Sequence, residues 1–147
     1  MNDIKFTLPL QLSQEDVVHL LKSGNDDFFP TLESVLDYAN YSKKLSDSAF
    51  FILAKCGDSF IGCVAFYYNE EGRFIYISHF WVSRMFQKQH IGTTMLDILF
   101  CCVSGRYDSI MLEVNKGSSA ISFYERTGFV IKEDRGNKFL LIKYFNS

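Results

Sequence analysis

The chain has 147 residues, 48% of them hydrophobic, 22% charged and 16% aromatic, with a formal net charge of −2. The length fits one domain, so residues 1–147 are read as a single unit, and the apolar content excludes a disordered chain. The near-neutral charge excludes a global basic field for nucleic acid, and no apolar run is long enough to span a membrane.

Residues 3–8 (DIKFTL) alternate and predict a first strand, closed by Pro9. Ser13 is placed to cap a helix, with Asp16 three residues on. Val17, Leu20 and Leu21 form its apolar stripe, and Gly24 suits the C′ position. After a loop at 25–30, a second helix is expected from about Thr31 to about Leu45, with Leu32, Val35, Leu36 and Ala39 as its stripe.

The period then changes to extended. Runs at 49–56, 60–68 and 73–82, joined by short turns, predict an antiparallel meander. A strongly apolar helix follows over about 89–103, then a strand at 109–114. A strand, helix and strand in that order form a crossover, so strands 73–82 and 109–114 are expected to be parallel. A short helix at 118–127 ends at Gly128, and 129–134 pairs with 138–145 as a hairpin. The element order is β-α-α-β-β-β-α-β-α-β-β, a mixed α/β chain with a mostly antiparallel sheet.

Four cysteines, at 56, 63, 101 and 102, form no CxxC pair. They are expected to be buried free thiols of a cytoplasmic protein, with no metal site. The N-terminus has no basic stretch followed by a long apolar run, so it is not expected to be a signal peptide.

The stretch from Phe80 to Gly92 (FWVSRMFQKQHIG) carries the chemistry. A strand runs into a polar loop, Gln87-Lys88-Gln89-His90, which opens into a helix at Ile91-Gly92-Thr93. Helix N-terminal N–H groups make a ready anion site, and Lys88 adds charge. A second segment reads Leu112-Glu113-Val114-Asn115, then Ser118, Ala120, Tyr124 and Gly128-Phe129.

Together the two segments resemble the GNAT superfamily of acyl-CoA-dependent N-acyltransferases. Phe80-Trp81-Val82 stands at the family's strand triplet and Gln87 to Gly92 at its Gln/Arg-x-x-Gly-x-Gly/Ala loop. His90 replaces the first loop glycine, and Ser118 replaces an asparagine. His90 carries a Cβ, so its backbone is expected in a conformation open to any L-residue. Ser118 is also a good N-cap.

The resemblance implies a sheet whose central parallel pair splays apart, with helices on both faces. It implies acetyl-CoA as co-substrate, held by Phe80, Trp81, Val82, Gln87, Lys88, Gln89, His90, Ile91, Gly92, Thr93, Asn115, Ser118 and Tyr124. It also implies a bulge in strand 73–82, a backbone N–H near Phe80 that polarises the thioester carbonyl, and Tyr124 as proton donor to the leaving thiolate. His79 and Glu113 are the two candidates for the base. The acceptor pocket falls near Asp26, Asp27, Phe28, Phe29, Tyr67 and Tyr68, where acidic and aromatic residues suit an amine.

The implied function is acetyl transfer to a primary amine of a small molecule or peptide, by direct attack in a ternary complex. The alternative is a non-catalytic acyl-CoA-binding sensor or scaffold. By analogy with dimeric relatives, the terminal hairpin offers an edge through which two copies could pair.

Overall fold

The computed structural model describes residues 3–24 and 37–145. Strand β1 (Ile4–Phe6) leads into helix α1 (Gln14–Ser23). Helix α2 (Tyr38–Ser48) precedes a meander of β2 (Phe50–Cys56), β3 (Ser59–Asn69) and β4 (Phe74–Val82). A 3₁₀ turn at Arg84–Phe86 joins β4 to α3 (Ile91–Val103). Then come β5 (Ser109–Asn115), α4 (Ala120–Arg126), β6 (Val130–Asp134) and β7 (Lys138–Tyr144). The order is the expected one.

The seven strands of the described residues form one sheet in the order β1-β2-β3-β4-β5-β7-β6. Every pairing is antiparallel except β4 with β5. Two apolar layers cover it. Leu96, Leu99 and Phe129 lie on the α3 and α4 side with Val64, Ile75, Ile77 and Ile110 of the strands. On the other side Val17, Leu20, Leu21 and Leu45 pack on Phe51, Leu53, Cys63 and Trp81. The alternation of Phe51/Leu53 with Ile52/Ala54 sends neighbouring residues of β2 to opposite layers, as the two-residue period of a strand requires.

Strand β4 breaks that alternation. Ile75 and Ile77 face the α3 layer, yet Trp81, of the same parity, faces the α1 layer. One extra residue restores the count: Ala65 pairs with His79 and Phe66 with Ile77, which leaves Ser78 as a bulge.

The parallel pairing of β4 with β5 runs from Phe74↔Ser109 to Ile77↔Leu112 and stops there. Below the stop the strands are clamped. Asp108 N–H donates to Arg73 O at 2.7 Å, their side chains pair at 3.3 Å, and the Tyr107 hydroxyl donates to Glu70. Above it they part.

Several local expectations change. The Ser13 cap holds, its Oγ accepting from Asp16 N–H at 3.2 Å. Helix α2 runs to Ser48, three residues past the expected end, and begins after an Asp37 cap. Ala39 is exposed, whereas Ser42 and Leu45 are buried, so the helix turns a different face inward. The rest of the expected stripe, Leu32, Val35 and Leu36, lies outside the described residues. Cys63 is buried but Cys101 is exposed, because it lies on the outer side of α3.

Gly24 sits at the C-cap with φ −102°, not in the left-handed region. The reason for glycine is space: a Cβ there would stand 2.7 Å from the Trp81 indole. Gly24→Ala is therefore expected to destabilise the fold by about 1–3 kcal/mol through overpacking, measured as a lower midpoint in urea.

Candidate active site

The parting of β4 and β5 opens a cleft of about 240 Å³. Its walls are Ile77, Ser78, His79 and Phe80 of β4, Leu112 to Asn115 of β5, and Ser118, Ala120 and Tyr124. Its apolar walls, Ile77, Phe80, Leu112, Val114, Ala120 and Tyr124, belong to the α3 layer, while His79 and Glu113 alternate with them toward the other face of the sheet. β4 beyond the bulge still pairs with β3, through Val64↔Phe80, Cys63↔Trp81 and Gly62↔Val82. Toward β5 it pairs with nothing, so one edge of its backbone faces the opening. An extended ligand arm can satisfy such groups as an added strand would.

At the upper end of β4 the chain turns into α3. Gln87, Lys88, Gln89 and His90 are exposed. Lys88 has φ 70° and His90 has φ 60°, ψ 24°. This corrects the expectation for His90: the position is left-handed, where glycine is favoured. Histidine is among the L-residues found there more often than most.

The first helical bond is Thr94 N–H to His90 O at 2.9 Å, and His90 makes no side-chain cap. The amides of the first turn of α3 therefore have no side-chain cap. Gly92, in the first turn, lets Phe80 and Phe123 close in: a Cβ would lie 3.1 Å from one ring and 3.3 Å from the other.

Ser118 N–H donates to Asn115 O at 2.9 Å, and Ser118 Oγ accepts from Ala120 N–H at 3.0 Å. The N-cap position itself falls at Ser119, which makes no side-chain cap bond, so Ser118 holds the first amide of α4 from one position earlier than expected. Tyr124, on the same short helix, is buried against Phe80, Phe123 and Phe129 and lines the cleft. Burial pushes its phenol well above the ordinary range, so it stays protonated and able to donate.

A family model described as the acetyltransferase (GNAT) family matches residues 15–129. The chain belongs to this family. Among solved structures it is similar to the PaiA N-acetyltransferase of Thermoplasma acidophilum in complex with coenzyme A. That likeness has a TM-score of 0.78, at 18% identity, over 97% of this chain and 99% of that one. It is similar to PH1933 of Pyrococcus horikoshii, with a TM-score of 0.73 at 26% identity over 99% and 100% of the two chains. It is also similar to NAA60 of Arabidopsis thaliana in complex with a bisubstrate analogue, with a TM-score of 0.76 at 18% identity over 98% and 99%. No curated protein sequence matches it.

In this GNAT chain the sequence-predicted residues divide between the two faces. Trp81 turns its side chain away from the cleft, into the α1 layer, and Val82 packs into the α3 layer. His79 and Glu113 both lie toward the α1/α2 side, opposite Phe80 and Val114. Burial lowers His79 to about 4, so it is neutral at pH 7 and a weak base.

Glu113 accepts from Arg135 Nη1 at 2.9 Å. Tyr67 and Tyr68 part company: Tyr67 joins the α1 layer, while Tyr68 meets Phe50 and Phe66 edge-on and Tyr107 at a tilt on the other face. Asp26, Asp27, Phe28 and Phe29 lie outside the described residues.

Three residues near the bulge were not foreseen. The Tyr41 hydroxyl lies 3.1 Å from Ser78 Oγ, and burial raises its pKa. Tyr76, raised first by burial and then by the Glu113 carboxylate, stands two residues before the bulge on the same strand. Arg135 reaches in from the β6–β7 turn. Tyr41 sits on a helix whose inward face the apolar stripe did not reveal, and the turn residue Arg135 carried no signal at all. Among the described residues no group of His, Cys, Asp and Glu is placed to hold a metal ion, and no helix is long and apolar enough to cross a membrane.

Two outcomes follow from this geometry. His90→Gly should raise stability by about 0.5–1 kcal/mol in denaturant titrations, since glycine carries no left-handed penalty. For His79 the unfolded imidazole titrates near 6.5 and the folded one near 4, so the unfolded state binds more protons between those values. Stability should therefore fall as pH drops from about 6.5 to about 4, by up to roughly 3 kcal/mol, and His79→Gln should flatten that slope.

Proposed function

We propose that this protein is an N-acetyltransferase that moves an acetyl group from acetyl-CoA to a primary amine by direct attack in a ternary complex. The observation that carries the reading is the cleft beyond the Ser78 bulge. It has one unpaired backbone edge, uncapped helix amides at one end and the protonated phenol of Tyr124 in its wall. The residues present suit coenzyme A. The amides of His90 to Thr93, with Lys88 and the loop side chains Gln87 and Gln89, would hold its pyrophosphate. The open edge of Phe80 to Val82, with Asn115 and Ser118 across the cleft, would hold its pantetheine arm. When bound, the coenzyme supplies the acetyl thioester.

The chain's residues then divide the work. A backbone amide near Phe80 donates to the carbonyl oxygen, where charge builds as the amine nitrogen attacks. The C–N bond forms and the C–S bond breaks. Glu113 takes the proton lost by the amine, and Tyr124 gives its proton to the departing sulfur. Exchange with solvent resets both. His79 is the poorer base, because burial lowers it to about 4. We assign it a neutral, hydrogen-bonding role beside the bulge. No covalent enzyme intermediate is needed, and burial pushes the Cys63 thiol far up, which makes it unreactive.

Thiol release from acetyl-CoA across polyamines, amino sugars, amino acids and peptides tests the reading. A coenzyme A-induced rise in melting temperature with no amine-dependent release would instead support a non-catalytic acyl-CoA-binding module. In the active enzyme, Tyr124→Phe and Glu113→Gln should each lower kcat by about 10²-fold or more while the KM for acetyl-CoA moves less than about twofold. His79→Ala should leave the basic limb of the pH–rate profile where it was.

A further inference from the structure

The bulge in β4 is held by a residue of another element. Ser78 has a register partner in neither β3 nor β5: it falls between Phe66↔Ile77 and Ala65↔His79 and lies past the Ile77↔Leu112 stop. The Tyr41 hydroxyl, from α2, donates to the Ser78 carbonyl oxygen at 3.4 Å and stands 3.1 Å from Ser78 Oγ. With the phenol donating to the carbonyl, Ser78 Oγ donates back to the phenol oxygen. One side chain thus holds both the carbonyl and the hydroxyl of the bulged residue. Helix α2 is itself tied to α1, because the buried Ser42 beside Tyr41 accepts from Gln14 Nε2 at 3.5 Å.

The bulge also decides where the Phe80 amide points. Ser83 N–H donates to Ile61 O on β3 at 2.7 Å. The backbone groups of a strand take alternate edges, so Trp81 and His79 share that β3 edge. Phe80 and Val82 take the other edge, which fronts the cleft. Were the register of Phe66↔Ile77 carried on without the bulge, Phe80 would stand opposite Cys63 and its N–H would turn onto β3. Ile77 below is fixed by Leu112, and Trp81 above by the α1 layer. Ser78 is the joint between them, and Tyr41 grips that joint from outside the sheet.

We propose that Tyr41 is a positioning residue: by holding Ser78 it keeps the Phe80 N–H aimed at the thioester carbonyl, where charge builds on attack. The proposal rests on the acetyltransferase reading of the cleft and adds to it a residue that acts through the bulge.

The test reads the thioester carbonyl stretch of bound acetyl-CoA, isotopically labelled at that carbon, by difference infrared spectroscopy. It needs no acceptor. Hydrogen bonding lowers the frequency, so the wild type should show a value below that in solution. Tyr41→Phe, which removes only the hydroxyl, should lose most of this lowering, while coenzyme A, which has no thioester, binds with unchanged affinity. Ser78→Ala keeps the bond from the phenol to the carbonyl and should lose less. Where an amine is turned over, kcat should fall at least about tenfold in Tyr41→Phe with the KM for acetyl-CoA unchanged.

An undiminished lowering in Tyr41→Phe overturns the proposal and leaves the acetyltransferase reading intact. No lowering in the wild type overturns the role of the Phe80 amide and of Tyr41 together. Loss of coenzyme A affinity in both variants marks a merely structural role and also overturns it. Acetyl-CoA that does not bind the wild type overturns the acetyltransferase reading, and this inference with it.

Discussion

One extra residue in a strand governs this molecule. Ser78 has no partner in β3, and past it every side chain of β4 changes face. Without the bulge, Trp81 would point into the α3 layer with Ile75 and Ile77, and Phe80 would leave Tyr124 for the α1 layer. The added twist that a bulge brings also turns β4 away from β5. The sheet thus holds β4 and β5 together at one end and apart at the other. The parting leaves one edge of β4 without a strand partner beyond Ile77.

The clamp below the parting is as specific as the opening above it. Arg73, Asp108, Tyr107 and Glu70 tie the β3–β4 turn to the entry of β5 through polar contacts at the base of the crossover. The exposed Arg73–Asp108 pair is worth little as an isolated salt bridge. The backbone bond from Asp108 to Arg73 O and the partly buried Tyr107 hydroxyl fix the geometry instead. His79, Glu113, Tyr41 and Ser78 line or flank the α1/α2 side of the cleft, and Phe80, Ala120 and Tyr124 the other.

Much of this was legible in the residues. The order of elements followed from the change of hydrophobic period, and the loop and Tyr124 from two motifs that share a register with their strand and helices. The misses have physical causes. The stripe placed Ala39 inward, but α2 turns Ser42 and Leu45 to the core, a choice set by its packing on α1 and the sheet. Gly24 looked like a left-handed helix end, but it serves a contact with Trp81 that lies 57 positions away in the chain, and no local pattern reports a long-range clash. Tyr67 and Tyr68 were grouped because they are adjacent, yet adjacent residues of a strand face opposite ways.

What the sequence determined by itself is local: strand and helix identity, the Ser13 cap, and the polar loop at the start of an apolar helix. These depend on neighbours within a few positions, where spacing and residue type decide the outcome. The tertiary structure alone decided the rest. It placed the left-handed backbone at His90, the bulge at Ser78, the neutral state of His79 and the pairing of Arg135 with Glu113. Each of these depends on groups brought together from distant parts of the chain, through burial, strand register or charge. The Phe80–Gly92 stretch shows the division: its order of strand, loop and helix is written locally, and the cleft it opens onto exists only because β5 pairs with β4 for four residues and then leaves it.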